Sequence, residues 1–224
     1  EPVEDHRIYF EDGYGICSDD EEDGHAILAA TEAARGSRDG TLARSIGIRI
    51  KALSAPPANR ALRTLDLFVT TLVSDLWHLP ERFCVTLPKI RSADEVRVLA
   101  DAVSLLEETL RLANGSIRLE AMVETNQILF DSDGHFALPA LIGEAKGRLQ
   151  AAHFGPYDFM SSCQIAAKEQ QLQHPVCQLP RQLMQVAFSG RGIWLADGPT
   201  TSLPVEQGEG TELPASTNNP GHNG

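Results

Sequence analysis

Hydrophobic and polar positions along this chain fall into two alternating rhythms. Short apolar runs of strand character recur as "RIYFED", "SIGIRIKAL", "RFCVTLPKI", "SIRLEAMVET", "RLQAAHF" and "GIWLADG". Between them lie longer stretches with apolar residues three and four apart, the spacing of a helix with one buried face. "AILAATEAA" follows Ser18 and Glu21, which have capping-box spacing. "NRALRTLDLFVTTLVSDLW" follows Pro56 and Pro57. "SADEVRVLADAVSLLEETLRL" has the clearest period, and Ser92 and Glu95 repeat the capping-box spacing. A shorter helix is predicted from Ala137 to Lys146, and helical material between Met160 and Ser189, broken near Pro175 and Pro180. In the fourth strand Met122, Glu124 and Asn126 share one face, which points Glu124 inward; Ala121, Val123 and Thr125 share the other.

Regular alternation of strand and helix predicts parallel strands with crossover helices. A doubly wound sheet and a (β/α)8 barrel both satisfy it. "EDGYG" after the first strand lacks the G-x-G-x-x-G spacing, which disfavours a dinucleotide site. A barrel needs eight strands and six are visible. The expected fold is therefore α/β: an incomplete (β/α)8 TIM barrel over residues 1–200, with a flexible tail over 201–224, where Gly, Pro and Asn accumulate. Two open sheet edges would call for cover, so a homo-oligomer is expected.

With 224 residues and 42% hydrophobic content the chain can bury one sizeable core. A net charge of −12 argues against nucleic-acid or anionic-membrane partners, which require a basic face. No apolar run approaches the roughly 18 residues of a membrane span. Cys17, Cys84, Cys163 and Cys177 form no C-x-x-C pair, so reduced thiols in a cytoplasmic protein are expected.

Every predicted strand ends in charge. In chain order these ends carry Glu11-Asp12, Arg49 and Lys51, Lys89, Glu124, Asp158 and Asp197. In a barrel all six converge on one mouth, where active sites are built. A polar residue at any one strand end is ordinary, but an inward, unpaired Glu124 would be costly without a cation. Glu124 and Asp158, with few soft ligands nearby, suit a hard ion such as magnesium, or manganese in its place. "DDEEDG" from Asp19 is not a calcium loop, because its twelfth position is Ala30 rather than a bidentate Glu. His135, His153 and His174 lack zinc spacing, and His153 reads more readily as a core histidine than as a mouth residue.

At these residues the sequence resembles the HpcH/HpaI aldolase and citrate lyase beta-subunit family. "VTLPKIRSADEV" is similar to its L-P-K-x-x-S-x-x-x-V signature, "IRLEAMVET" to its I-E-T strand and "HFGPYDFMSS" to its F-G-x-x-D segment. "IGIRIKAL" stands at its R-V-N strand, "YFEDGYG" at its L-E-D-A, and "IWLADGP" at its A-I-D-G. "LEETLRLANGSIRLEAMVET" and the following G-x-x-D-[YF] also resemble malate synthases. Three departures stand out: Lys51 replaces the family asparagine, "VETNQ" replaces I-E-T-P or I-E-T-R, and "FEDGYG" lacks the aldolase histidine. The missing histidine favours the citrate-lyase or malate-synthase side, and the family's first and eighth strands, not seen before Arg7 or after Gly198, imply a truncated member.

The resemblance implies a magnesium-dependent carbon–carbon lyase of the aldolase or citrate-lyase type, acting through an enolate on a 2-oxo acid, a hydroxyacid or an acyl-CoA. It implies metal on Glu124 and Asp158, substrate on the same pair and on Arg49, and Lys89 supporting the mouth. Asp12 or a metal-bound water would carry the proton. For an acyl-CoA, Arg7, Arg181 or Arg191 could contribute to a diphosphate clamp. The alternatives are a malate-synthase-like Claisen condensation and an inactive barrel fragment that serves as a binding module.

Overall fold

The computed structural model describes residues 3–54 and 56–199. The tail expected over 201–224 lies outside these residues.

Six strands alternate with helices along the chain. They are β1 (Asp5–Tyr9), β2 (Ser45–Arg49), β3 (Phe83–Leu87), β4 (Arg118–Val123), β5 (Leu149–Phe154) and β6 (Trp194–Ala196). The helices are α1 (Asp19–Arg38), α2 (Ala58–Leu76), α3 (Ala93–Thr109), α4 (Leu138–Glu144), α5 (Pro156–Ser162) and α6 (Gln178–Phe188). All neighbouring strands pair in parallel, in the order β1-β2-β3-β4-β5-β6. This sequential order decides between the two folds left open by the sequence, because a doubly wound sheet reverses direction at a switch point. Three strand spacings of about 4.8 Å separate β1 from β4. The Nε of Arg7 on β1 nevertheless donates to Glu120 of β4 at 3.3 Å, which requires the sheet to curl. The result is a partial α/β barrel with helices on its convex side.

Parallel register puts paired residues on the same face. The convex face carries Ile46, Ile48, Val85, Leu87, Val123, Ala152 and Phe154, all at most 1% exposed. Against it α2 sets Leu65, Phe68, Val69 and Leu72, each fully buried and each contributing about 1.5–3 kcal/mol by its removal from water. The concave face is polar instead: Arg7, Arg49, Thr86, Glu120 and His153 alternate with those aliphatic residues.

The predicted cap at Ser18 forms, its Oγ accepting from the Glu21 N–H at 3.2 Å. The predicted cap at Ser92 does not: its side chain makes no cap bond, and Glu95 reaches the Arg91 N–H instead. The first strand lies earlier than expected, over Asp5–Tyr9, so Glu11 and Asp12 sit in the turn that follows it. No helix among the described residues is long and apolar enough to cross a membrane.

Candidate active site

The C-terminal strand ends meet in a cleft of ≈ 320 Å³ lined by Tyr9, Arg49, Glu124, His153, Asp158 and Asp197, among others. Arg49 ends β2 with its side chain 11% exposed. Its Nη2 lies 2.7 Å from Glu11, 3.4 Å from Asp12 and 3.6 Å from Glu124. Its guanidinium also lies over the Tyr9 ring, and its Nε is buried without a partner among the described residues. Burial works against the cation, but Glu124, Glu11 and Asp12 outweigh it and raise its pKa.

Lys89 joins three strand ends. Its backbone is left-handed, with φ 51°, a conformation rare for a side chain larger than glycine. That conformation goes with an N–H that donates to Glu124 Oε1 at 2.6 Å. Its ammonium bonds Glu11 and Asp12 and lies 3.7 Å from Asp158 Oδ2. Burial disfavours the charge, yet Asp12 and Glu11 hold it and raise the pKa. Asp12 is correspondingly lowered: burial would raise it, but hydrogen bonds with Lys89 and Glu11 prevail.

Glu124 follows β4 and is 1% exposed. Burial pushes its pKa up to about 7 against the pull of Arg49 and of the Lys89 N–H, and Asp158 adds to the rise. Asp158 lies in the first turn of α5 and is also raised, by burial first and by Asp12, against Lys89. Two neighbouring carboxylates that both resist ionisation suit a hard divalent cation. The donors are oxygens only, so the chemistry of the set fits magnesium or manganese.

Gly155 has a steric reason rather than a turn reason. Its φ is −102°, but a Cβ there would lie 2.5 Å from Glu124 Oε2 and 2.6 Å from Glu124 Cβ. Gly198 is similar, since its Cβ would lie 2.2 Å from Pro156 Cδ. The strand ends around Glu124 and Asp158 are therefore fitted to one another.

Several sequence readings change. Asn126 does not continue inward after Glu124; the chain turns into a short 3-10 segment and Asn126 bonds Ser162. His153, read as core, lines the cleft and is only partly buried. Lys51 does not reach the cleft; it donates to the Phe10 carbonyl at 2.9 Å and to Glu22. Arg7 is engaged with Glu120 and Asp5, and Arg181 with Asp197 at 3.0 Å, while Arg191 is exposed beyond α6. Glu11, expected only as one charged strand end and given no role, bridges Arg49 and Lys89. Its place beside Asp12 was the one available signal. Among the described residues, three donors of His, Cys, Asp or Glu type lie within 4.8 Å of one another at Asp131, Asp133 and His135, outside the cleft. That cluster is an exposed turn in which Asp131 accepts from the Asp133 and His135 N–H groups.

Solved structures of Haloferax volcanii malate synthase share this fold. The native enzyme at 3 mM glyoxylate gives a TM-score of 0.63 at 14% identity, covering 87% of this chain and 54% of that one. Its magnesium/glyoxylate complex gives 0.63 at 15% identity over 87% and 54%. The pyruvate/acetyl-CoA ternary complex gives 0.60 at 14% identity over 86% and 50%. This chain thus spans about half the length of those enzymes. No curated protein matches it in sequence. Residues 1–217 match the family described as Domain of unknown function (DUF6986), and the chain belongs to that family.

Proposed function

We propose that the cleft performs carbon–carbon bond chemistry next to a carbonyl, on a 2-oxo acid or an acyl-CoA, with a divalent cation held by Glu124 and Asp158. The observation that carries this reading is the convergence of Arg49, Lys89, Glu124 and Asp158 at the C-terminal mouth of a sequential parallel sheet. The bound cation would supply charge neutralisation for a developing enolate. Arg49 would bind the substrate carboxylate and share the enolate charge through its free Nε–H. Lys89 would hold Glu11 and Asp12 in place and keep the mouth's positive charge near Asp158. Asp12, paired with two cations, is a weak base and serves better as their electrostatic partner.

Both directions use one site. Cleavage would make this a lyase of the aldolase or citrate-lyase type, as the resemblance to the HpcH/HpaI family implies. Condensation would make it a Claisen enzyme, which the malate synthase neighbours favour. The barrel is proposed to occupy residues 1–200. A second reading, an inactive module that binds a partner along its sheet edges, is favoured by β1 and β6, which border the sheet among the described residues.

The test pairs binding with turnover. Calorimetric titration should show magnesium binding to the wild type and its loss in Glu124→Ala plus Asp158→Ala. Assays with glyoxylate or pyruvate, with and without acetyl-CoA, then separate cleavage from condensation. Equal magnesium binding by wild type and double variant would overturn the site.

A further inference from the structure

We propose that His153 is the proton-transfer residue of this cleft, taking a proton from the carbon beside the substrate carbonyl and returning it in the reverse direction. The inference rests on the reading of the cleft given above and fills the role left without a residue there.

The other titratable side chains of the cleft are committed or in the wrong state. Arg49 is a permanent cation and cannot accept a proton. Glu124 and Asp158 are the pair assigned to the divalent ion. Asp197 accepts two bonds from Arg181, at 3.0 and 3.1 Å, and one from the Gly198 N–H at 2.8 Å. Tyr9 lies under the Arg49 guanidinium and the Tyr157 hydroxyl is buried. His153 remains.

Its position suits the task. Along β5, Ala152 and Phe154 enter the helix-facing core, so the strand's alternation turns His153 to the concave side. It stands level with Met122 of β4 and Ala196 of β6, two residues below the Gly155–Glu124 contact. Neither flanking side chain offers it a hydrogen bond, but the Asp197 backbone does, which ties up one ring nitrogen. The charged groups that face it are Glu120 from β4, Arg49 from β2 and Asp197 after β6. Burial lowers its pKa, against Glu120 and with the help of Arg49. With one ring nitrogen bonded to the Asp197 backbone, the other nitrogen of the neutral imidazole is the acceptor.

The step balances without a further reagent. The substrate C–H bond breaks, its proton moves to a ring nitrogen, and the electron pair stays on the substrate as an enolate. In condensation that pair forms the new carbon–carbon bond, and the electrophile's carbonyl oxygen takes up the displaced pair. Glu120 then neutralises the imidazolium, itself held by Arg7 Nε at 3.3 Å and by the Thr86 hydroxyl.

The experiment follows loss of methyl protons from pyruvate and from acetyl-CoA in deuterium oxide, with magnesium and the intact chain. The wild type should exchange at least one of them. His153→Asn should slow exchange by about 100-fold or more, with magnesium affinity and thermal midpoint unchanged. His153→Ala should regain part of the rate on adding imidazole, which a merely structural histidine would not do. Magnesium binding with undiminished exchange in His153→Asn overturns the assignment, and so does a wild type that binds magnesium but exchanges neither compound. A wild type that binds no magnesium overturns the reading of the mouth and this inference with it.

Discussion

Glu107 and Glu124 are both almost fully buried, at 2% and 1% exposure, yet they live in opposite electrostatic worlds. Glu107 sits at the N-terminal end of the sheet, in the last turn of α3. Its carboxylate accepts both Nη groups of Arg148, at 2.7 and 2.8 Å, and the N–H groups of Ile117 and Gly115. Burial alone would raise its pKa, but these donors outweigh it and the pKa falls. Glu124, at the C-terminal end, accepts one backbone N–H, and burial wins. A carboxylate that the fold needs for stability is saturated with donors. One that is left short of them is available to something outside the chain.

The largest effect is expected from Arg148→Ala. Leaving Glu107 buried and unpaired should cost about 3–5 kcal/mol in urea unfolding. The same pair should set acid sensitivity. Glu107 has a folded pKa below its ordinary 4.5, so its contribution is complete above that value and is lost as pH falls through the folded pKa. Glu107→Gln should flatten that loss in acid-unfolding curves, and an unchanged slope would contradict the assignment.

At the mouth the sign reverses. Glu124→Gln should stabilise the metal-free protein by about 1–3 kcal/mol, because it removes a buried charge with few partners. Magnesium should raise the wild-type stability by about 2.7 kcal/mol at a hundredfold excess over its dissociation constant. It should leave Glu124→Gln unmoved; equal thermal shifts would erase the distinction between the two carboxylates. A smaller effect than that of Arg148→Ala is expected from Gly155→Ala. The new methyl would lie 2.6 Å from Glu124 Cβ, which moves only with its backbone, so the cost should approach the upper end of the ~1–3 kcal/mol of overpacking. Magnesium-induced stabilisation should also disappear, because the new methyl displaces Glu124 Oε2.

The top of this molecule was far more legible in the sequence than the bottom. Charges at strand ends follow from local alternation, so Arg49, Lys89, Glu124 and Asp158 could be placed from a few residues each. Ser18 could be read as a cap for the same reason. Arg148 and Glu107 lie 41 residues apart, and within "LEETLRL" Glu107 looks like any solvated helix position. Lys51 stood out as a departure, but its bonds to Phe10 and Glu22 depend on how α1 packs beside β2. His153 was misjudged because a histidine between apolar residues gives no local sign of which face is hollow. The fold became certain only through strand order, a property of the whole sheet.

That order bears on how the protein is made. Each strand pairs with the one synthesised just before it, so the sheet can grow edge by edge as the chain leaves the ribosome. The inner polar layer cannot form in this piecemeal way: Arg7 must wait for Glu120, 113 residues later, and Lys89 must meet Glu11 across 78. The hollow side of the barrel is thus completed last: a ribosome stalled before β4 would hold Glu11, Asp12, Arg49 and Lys89 without Glu124 and Asp158.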